Sequence, residues 1–211
     1  MAGVKSTVEE LSAWISKMAA AAAKGAEAAT GGAAEAIGNV AVADANAGGA
    51  RGEAASVKGI AEGMKEIVGA AAKMGVELKA AAAAAAADNN GGHLFATAVG
   101  AANGATAAQA GGAADAVSKV SGQQILKAIV ESADGEGQAP ADATSPIDAA
   151  IGAANGAAAN FADQMLQNDK IAAAIVLRGM AAGGKFAVAQ AEAANGVKST
   201  VKRLLRRWVL S

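Results

Sequence analysis

The densest apolar segment of the chain is IAAAIVLRGMAAGGKFAV, at residues 171–188. Large apolar side chains recur there at spacings of three and four, and the alanines between them let neighbouring helices approach closely. The pattern predicts a central core helix that begins at Asn168 or Asp169 and ends at the glycine pair 183–184. Arg178 interrupts the apolar run, and we expect its side chain to project outward or to pair with Asp169.

Two narrow apolar stripes occupy the ends of the chain. In each stripe, large apolar residues alternate at spacings of four and three, which is typical of a helix packed lengthwise on another helix. The hexapeptide GVKSTV occurs at both ends, followed by two glutamates in the first copy and by Lys-Arg in the second. Complementary stripes and opposite charges predict that helices 4–24 and 197–209 pair antiparallel. The stripe residues are Val4, Val8, Leu11, Ile15 and Met18 at one end and Val197, Val201, Leu204 and Trp208 at the other.

The middle of the chain alternates between weak and strong helical patterns. Residues 28–56 have low complexity and predict loop with short helical turns. Apolar residues at helical spacing then predict a helix over 57–79 with Ser56 as its N-cap, and we expect the alanine run 80–87 to extend it. Residues 93–112 predict a weak helix that an Asn-Gly pair breaks.

Two later helices carry explicit start signals. Ser121 and Gln124 form a capping box, in which each side chain bonds the main-chain N–H of the other residue. Ser145 followed by Pro146 marks the N-cap and first residue of a short helix, which the next Asn-Gly pair ends. The Gly-x-x-x-Gly spacing at 59–63 has little weight outside a membrane span, because glycine is abundant in this chain.

Composition supports helices throughout. About a third of the 211 residues are alanine, 27 are glycine, and only 2% are aromatic. Alanine is the best helix former, whereas β-branched and aromatic residues are too sparse here to build a sheet. We therefore predict an all-α single domain over residues 1–211. It should contain about six helices in a bundle, joined by long Ala/Gly-rich loops, with the core helices within 56–190.

Few residues are suited to catalysis or metal binding. The chain has no cysteine and a single histidine, His93, which cannot form a usual zinc site without further ligands. A net charge of −1 creates no field that would recruit nucleic acid. Phosphate-binding loops, dinucleotide fingerprints and nucleophile elbows do not occur. We expect no enzyme activity, no cofactor, no metal and no nucleic-acid partner.

Two features bear on membranes. The apolar run 171–182 would span about 18 Å as a helix, against a hydrocarbon core of about 30 Å, so we do not expect a transmembrane helix. Glu9 and Glu10 stand where a signal peptide would be apolar, so we expect no targeting segment in this chain.

The basic C-terminal segment supports an alternative function. As a helix, it would present an apolar stripe flanked by cations and would be suited to an anionic membrane surface or a partner protein. The competing interpretation is that the stripe packs on the first helix and the charges face water. The residues concerned are Lys202, Arg203, Arg206, Arg207 and Trp208.

Four segments resemble a known family. SVKGIAEGMKEIV (56–68), VSKVSGQQILKAIV (117–130), SPIDAAIG (145–152) and NDKIAAAIVLRGMAAGGKFAV (168–188) resemble, in the same order, blocks of the variable large protein family. These are the variable surface lipoproteins of borrelial spirochaetes. The resemblance covers residues 37–200 approximately.

The resemblance implies a helical, non-enzymatic surface antigen that evades immunity by antigenic variation of its exposed loops. It implies attachment to the outer membrane through an N-terminal lipid that this chain does not contain. Host antibodies are the implied partners, and binding of host surface or serum factors and homodimer formation are left open. The implied epitope lies in an invariant, buried helical region: Lys170, Ile171, Ile175, Leu177, Arg178, Gly179, Met180, Lys185 and Phe186.

Overall fold

The computed structural model describes residues 2–30, 39–78, 80, 83–86, 89–132, 134–190, 195–197 and 199. Within these residues the chain is mostly helical, which confirms the predicted fold class. The α-helices are α1 (Ala2–Thr30), α2 (Ala54–Lys73), α3 (Ala107–Ser118), α4 (Gly122–Val130), α5 (Pro146–Ile151) and α6 (Asn168–Met180). Short 3₁₀ turns lie at Asn90–Phe95, Ala101–Asn103 and Asp163–Met165, and two strands, β1 (Val40–Val42) and β2 (Phe186–Val188), complete the elements.

Helix α6 lies at the centre of the fold. It contacts α2, α3, α4 and α5, whereas α1 packs on α2 at the periphery. Every residue from 171 to 179 is buried. A helix that is apolar on all sides can be stable only when neighbours surround it, and α6 meets this condition.

Helix α1 lies antiparallel along α2, and the two main chains approach closely at Gly63. A Cβ atom on Gly63 would lie 2.8 Å from the Ala21 carbonyl oxygen and 3.0 Å from the Gly25 Cα. A Cβ atom on Gly59 would lie 2.7 Å from the Cβ of Ala28. The glycine pair of α2 therefore permits the two helices to approach closely. The expectation that the Gly-x-x-x-Gly spacing has little weight outside a membrane span is wrong.

Ser56 does not cap α2. Glu53 occupies the N-cap position, without a side-chain capping bond, and the helix begins at Ala54. The buried Ser56 hydroxyl instead donates to the Ala28 carbonyl and accepts from the Ala182 N–H, at 2.5 and 2.9 Å. The predicted cap is thus wrong, because this serine joins α1, α2 and the segment that follows α6.

Helix α2 ends at Lys73 and does not extend into the alanine run. Gly75 has a φ of +80°, which an L side chain rarely adopts. Its N–H donates to the Ala72 carbonyl, and the N–H of Val76 donates to the Ala71 carbonyl, each at 3.0 Å. These two bonds form a Schellman motif, which satisfies the last carbonyls of the helix and ends it.

The described part of the alanine run forms a short extended pairing rather than a helix. Ala86 donates its N–H to Leu166, and Asn168 donates its N–H to Ala84, both at 3.3 Å. Ala85 and Gln167 form an antiparallel bridge between them. Tertiary pairing therefore overrides the helix propensity of alanine here, and the prediction of helix over 80–87 is wrong for residues 83–86.

The strands β1 and β2 form a parallel pair that the sequence did not indicate. Val40 pairs with Phe186 and Val42 with Val188, and β2 is fully buried. Val188 also bridges Ala105. Strand β1 lies within 28–56, where we expected loop with helical turns, so its partner is more than one hundred residues away and no local pattern predicts it.

For the helices in the middle of the chain, the observed first residues agree only in part with the predictions. The capping box of Ser121 and Gln124 at α4 is confirmed, as is Ser145 at the start of α5. The weak helix predicted over 93–112 is wrong in its bounds. The structure instead has 3₁₀ turns there and a separate α3, whose capping box uses Thr106 and Gln109. Helix α5 ends at Ile151, before the Asn-Gly pair.

The predicted pairing of terminal helices 4–24 and 197–209 remains a prediction, since residues 200–211 lie outside the described part of the chain. Helix α1 is longer than expected, and its stripe residues Val8, Leu11 and Ile15 are 59%, 44% and 52% exposed. Val197, the first residue of the second stripe, is buried in the core. Among the described helices, none is both long enough and apolar enough to cross a membrane.

Candidate functional site: helix α6 and its surroundings

The N-terminus of α6 is fixed by the chain that packs beside it. Gln167 occupies the N-cap position without a side-chain capping bond, and Asn168 is the first helical residue. The Asn168 amide nitrogen donates to the carbonyls of Ala84 and Ala85, at 3.0 and 3.3 Å. The prediction that Asn168 or Asp169 caps this helix is therefore wrong, because the Asn168 side chain binds another segment.

The nine residues predicted as an epitope fall into two groups. The side chains of Lys170, Met180 and Lys185 are partly exposed at the ends of the segment. The Lys170 ammonium donates to the Gln164 carbonyl at 2.7 Å. The other six are buried: Ile171, Ile175, Leu177, Arg178, Gly179 and Phe186.

Arg178 is the most unusual residue of the fold, because its side chain is fully buried. Its Nε donates to the Ala150 carbonyl at 2.9 Å and its Nη2 to the Ala149 carbonyl at 2.8 Å. Its Nη1 donates to the Phe95 carbonyl at 3.2 Å. The expectation that Arg178 projects outward or pairs with Asp169 is wrong, because its bonds all go to main-chain carbonyls of neighbouring segments.

Aromatic rings complete the surroundings of Arg178. Its Cζ lies 4.9 Å from the centroid of the Phe95 ring, within the range of a cation–π contact. The Phe95 ring also meets Phe161 at 5.2 Å and Phe186 edge-on at 5.6 Å. All three rings are buried, so much of the small aromatic content of the chain is concentrated at this point.

The guanidinium of Arg178 lies at the C-terminal end of α5. Carbonyls in the last turn of a helix have no partner within the helix and carry partial negative charge, so a cation there is stabilised. Arg51 reinforces the same end, since its Nε donates to the Gly152 carbonyl at 3.1 Å. Burial, and secondarily the charge of Arg51, lower the pKa of Arg178 from its ordinary range to about 9, so the group keeps its charge at neutral pH.

The described residues contain no group of three or more His, Asp and Glu side chains placed to hold a metal ion. His93 lies 3.1 Å from the Asn160 amide oxygen and approaches no catalytic partner in this part of the chain. A cleft of about 530 Å³ between α2 and α4 has an apolar floor that includes Ile129 and Ile147. Its lining residues include both cations and anions, among them Lys58 and Glu62, so the cleft favours neither anionic nor cationic ligands.

The basic residues predicted as a membrane or partner contact cannot be located in this structure. Lys202, Arg203, Arg206, Arg207 and Trp208 lie outside the described residues. The alternative function built on them therefore remains a prediction.

A family comparison covers nearly the whole chain. The family described as Borrelia lipoprotein matches residues 1–206. The chain belongs to this family. A search of the curated proteins found no significant relative.

Among solved structures, the chain is similar to the Lyme disease variable surface antigen VlsE of Borrelia burgdorferi. The two are 41% identical with a TM-score of 0.86, and the alignment covers 99% of this chain and 71% of that one. Both the predicted family and the helical fold are thereby confirmed. The chain is a surface lipoprotein antigen of the antigenic-variation type, and its family is not known for enzyme activity.

Sequence reasoning missed the role of Arg178, although the sequence contains a signal for it. Ile171 and Ile175 lie on one side of α6, Val176 and Leu177 lie on other sides, and alanines fill most of the remaining positions. A helix with no polar side leaves an arginine no direction toward solvent. The arginine must then find hydrogen-bond acceptors inside the fold, and those acceptors lie in segments distant in sequence.

Proposed function

We propose that this protein is displayed on the outer membrane and evades host antibodies through changes in the exposed segments around a constant, buried α6. The partners in this proposal are antibodies raised during infection. Binding of host surface or serum factors and formation of a homodimer remain predictions.

The burial of α6 is the observation that carries the proposal. Six of the nine residues assigned to the epitope are buried, so most of these side chains are inaccessible to an antibody while the protein is folded. An antibody against this segment would need the chain to be opened, cleaved or unfolded. A constant segment can thus be immunogenic and still give little protection against the intact protein.

The segments around α6 have the composition that tolerates change. Residues 153–160 connect α5 to the chain before α6 and expose Ala154, Asn155 and Ala157. Exposed loop positions contribute little to packing, so substitutions there usually change stability by less than about 0.5 kcal/mol. The surface can therefore change while the core stays fixed.

The experiment is a serum-binding assay with the folded and the urea-unfolded protein. Sera from borrelial infections are tested against each form, with a peptide of residues 165–190 as competitor. We expect the peptide to remove a larger share of binding from the unfolded form than from the folded form. A peptide of residues 107–130, which spans α3 and α4, is the control of similar length.

Two results would contradict the proposal. Absence of serum binding to both forms would remove the antigen function from this chain. Equal competition by the 165–190 peptide on both forms would show that α6 is accessible in the folded protein. Outer-membrane display has its own test, which is protease treatment of intact cells that express the full-length gene product, where protection from the protease would exclude surface exposure.

A further inference from the structure

Arg178 contacts its neighbours through atoms that substitution does not remove. Its three hydrogen bonds end on the carbonyl oxygens of Phe95, Ala149 and Ala150. Every amino acid provides such a carbonyl, whereas a carboxylate or hydroxyl partner would depend on one residue type. The Arg178 guanidinium therefore binds both segments through their main chain, and the Phe95 ring adds a side-chain contact to it.

The main-chain path beside Arg178 is fixed by glycines. Gly152 has a φ of +75°, and a Cβ atom on it would clash with Nη2 of Arg178. A Cβ atom on Gly184 would clash with the Arg178 carbonyl oxygen. The residue type is thus constrained at Arg178 and at Gly152 and Gly184, where a larger side chain would clash with Arg178.

The chain just beyond Gly152 is secured in a similar way. Thr97 and Ala98 donate their N–H groups to the Gly156 carbonyl at 2.9 and 3.0 Å. The Thr97 hydroxyl donates to the Ala153 carbonyl at 2.6 Å and accepts from the Gly156 N–H at 2.8 Å. Among residues 153–156, these bonds use main-chain atoms alone, and Ala154 and Asn155 are exposed between them.

We propose that Arg178 is a main-chain latch, which holds the end of α5 and the Phe95 segment on α6 whatever side chains the exposed residues after Gly152 carry. This inference rests on the proposed function, in which exposed segments vary, and it explains how the core stays in place when they do. Arg178 acts here as a positioning residue. It keeps α6 buried while the neighbouring surface at Ala154 and Ala157 changes.

The test compares four variants of the whole chain by thermal unfolding and by hydrogen exchange of the α6 amides. Arg178→Met removes the donors at similar length, and Arg178→Lys keeps the charge without the planar fork. The double variant Ala154→Lys/Ala157→Lys rewrites the exposed surface. Arg51→Met is the matched control, since Arg51 binds the same helix end but is exposed.

We expect Arg178→Met to lower Tm by roughly 8–15 °C and to speed exchange of the α6 amides at least tenfold, on the order of the shift for several lost bonds in a domain of this size. Arg178→Lys should recover less than half of the loss. The surface variant and Arg51→Met should each stay within about 3 °C of the parent, with α6 protection unchanged.

A combined variant separates a latch from a residue that merely adds stability. The variant that combines Arg178→Lys with the two surface lysines should lose more Tm than the sum of the losses in Arg178→Lys and in the surface variant, because the weakened latch no longer isolates α6 from the loop. If Arg178→Met does not fold, this Arg178→Lys comparison decides the question. Additive effects, or a surface variant as damaging as Arg178→Lys, would overturn the proposal. None of these measurements uses serum, so their failure is distinct from failure of the antigen function.

Discussion

The close contact between α1 and α2 gives a sharp prediction, because α2 contains two glycines in contrasting surroundings. A Cβ atom on Gly63 would lie 2.8 Å from the carbonyl oxygen of Ala21 and 3.1 Å from the main-chain nitrogen of Gly25. A Cβ atom on Gly69 would meet nothing within 4 Å. The substitutions Gly63→Ala and Gly69→Ala therefore make the same chemical change in the same helix with different steric consequences.

The expected free energies follow from two opposing effects. Replacing glycine by alanine inside a helix stabilises it by about 0.8–1 kcal/mol, and both variants gain this. In Gly63→Ala the added methyl group meets main-chain atoms, which cannot rotate away, and overpacking of this kind costs about 1–3 kcal/mol. We therefore expect Gly69→Ala to be more stable than the parent and Gly63→Ala to be less stable than Gly69→Ala by about 2 kcal/mol.

The measurement is equilibrium unfolding in urea followed by far-ultraviolet circular dichroism, with a thermal scan in parallel. A difference of about 2 kcal/mol corresponds to about 4–8 °C in Tm for a chain of this length. Equal stabilisation of both variants would refute the reasoning, since it would mean that α1 can move away from α2 without loss. A change in the urea m-value for Gly63→Ala alone would indicate that α1 has detached from the rest of the fold.

Three further predictions concern other parts of the molecule. Ser121→Ala should destabilise the fold by about 1 kcal/mol in urea unfolding, because it removes one half of the α4 capping box, and no loss would mean that the box is not needed. The stability of the parent relative to Arg178→Met should be constant from pH 6 to 8. Above about pH 9 the parent should gain stability relative to the variant, by up to about 1.4 kcal/mol per pH unit, because the folded chain releases a proton near pH 9 that the unfolded chain keeps. A flat difference up to pH 11 would show that the buried guanidinium stays charged. The chain has no cysteine, so an introduced pair can be tested for disulfide formation under mild oxidation. If the terminal stripes pair antiparallel, Leu11→Cys/Val201→Cys should form a disulfide and the control Leu11→Cys/Lys202→Cys should not. Equal disulfide yields from the two pairs would exclude that register.

The features that the sequence predicted correctly are those set by neighbours along the chain. The capping box at Ser121 and the Ser-Pro start of α5 depend on residues within one helical turn, and both are confirmed. The wide apolar face of 171–180 likewise identified the central helix, because burial on all sides leaves a continuous apolar pattern.

The features that it missed depend on partners far away in the chain. Alanines 83–86 form an extended pairing with 166–168, where tertiary hydrogen bonds outweigh helix propensity. The acceptors of Arg178 lie 28, 29 and 83 residues away. Gly75 is the exception, since a glycine two residues after Lys73 at the helix end is a local stop signal that the following alanine run obscured.

The small parallel strand pair has a consequence for the order in which the chain can fold. Strand β1 at residues 40–42 needs β2 at residues 186–188 as its partner, and β2 follows α6 directly. Closing so long a loop costs conformational entropy before the strand contacts can form and offset it. This pairing therefore belongs to a late and slow folding step. A chain emerging from the ribosome with its N-terminus first can complete α1 and α2 early, yet its centre stays open until β2 has been made. Until then, the faces of α2, α3, α4 and α5 that pack on α6 lack their central partner and are exposed to proteases and chaperones.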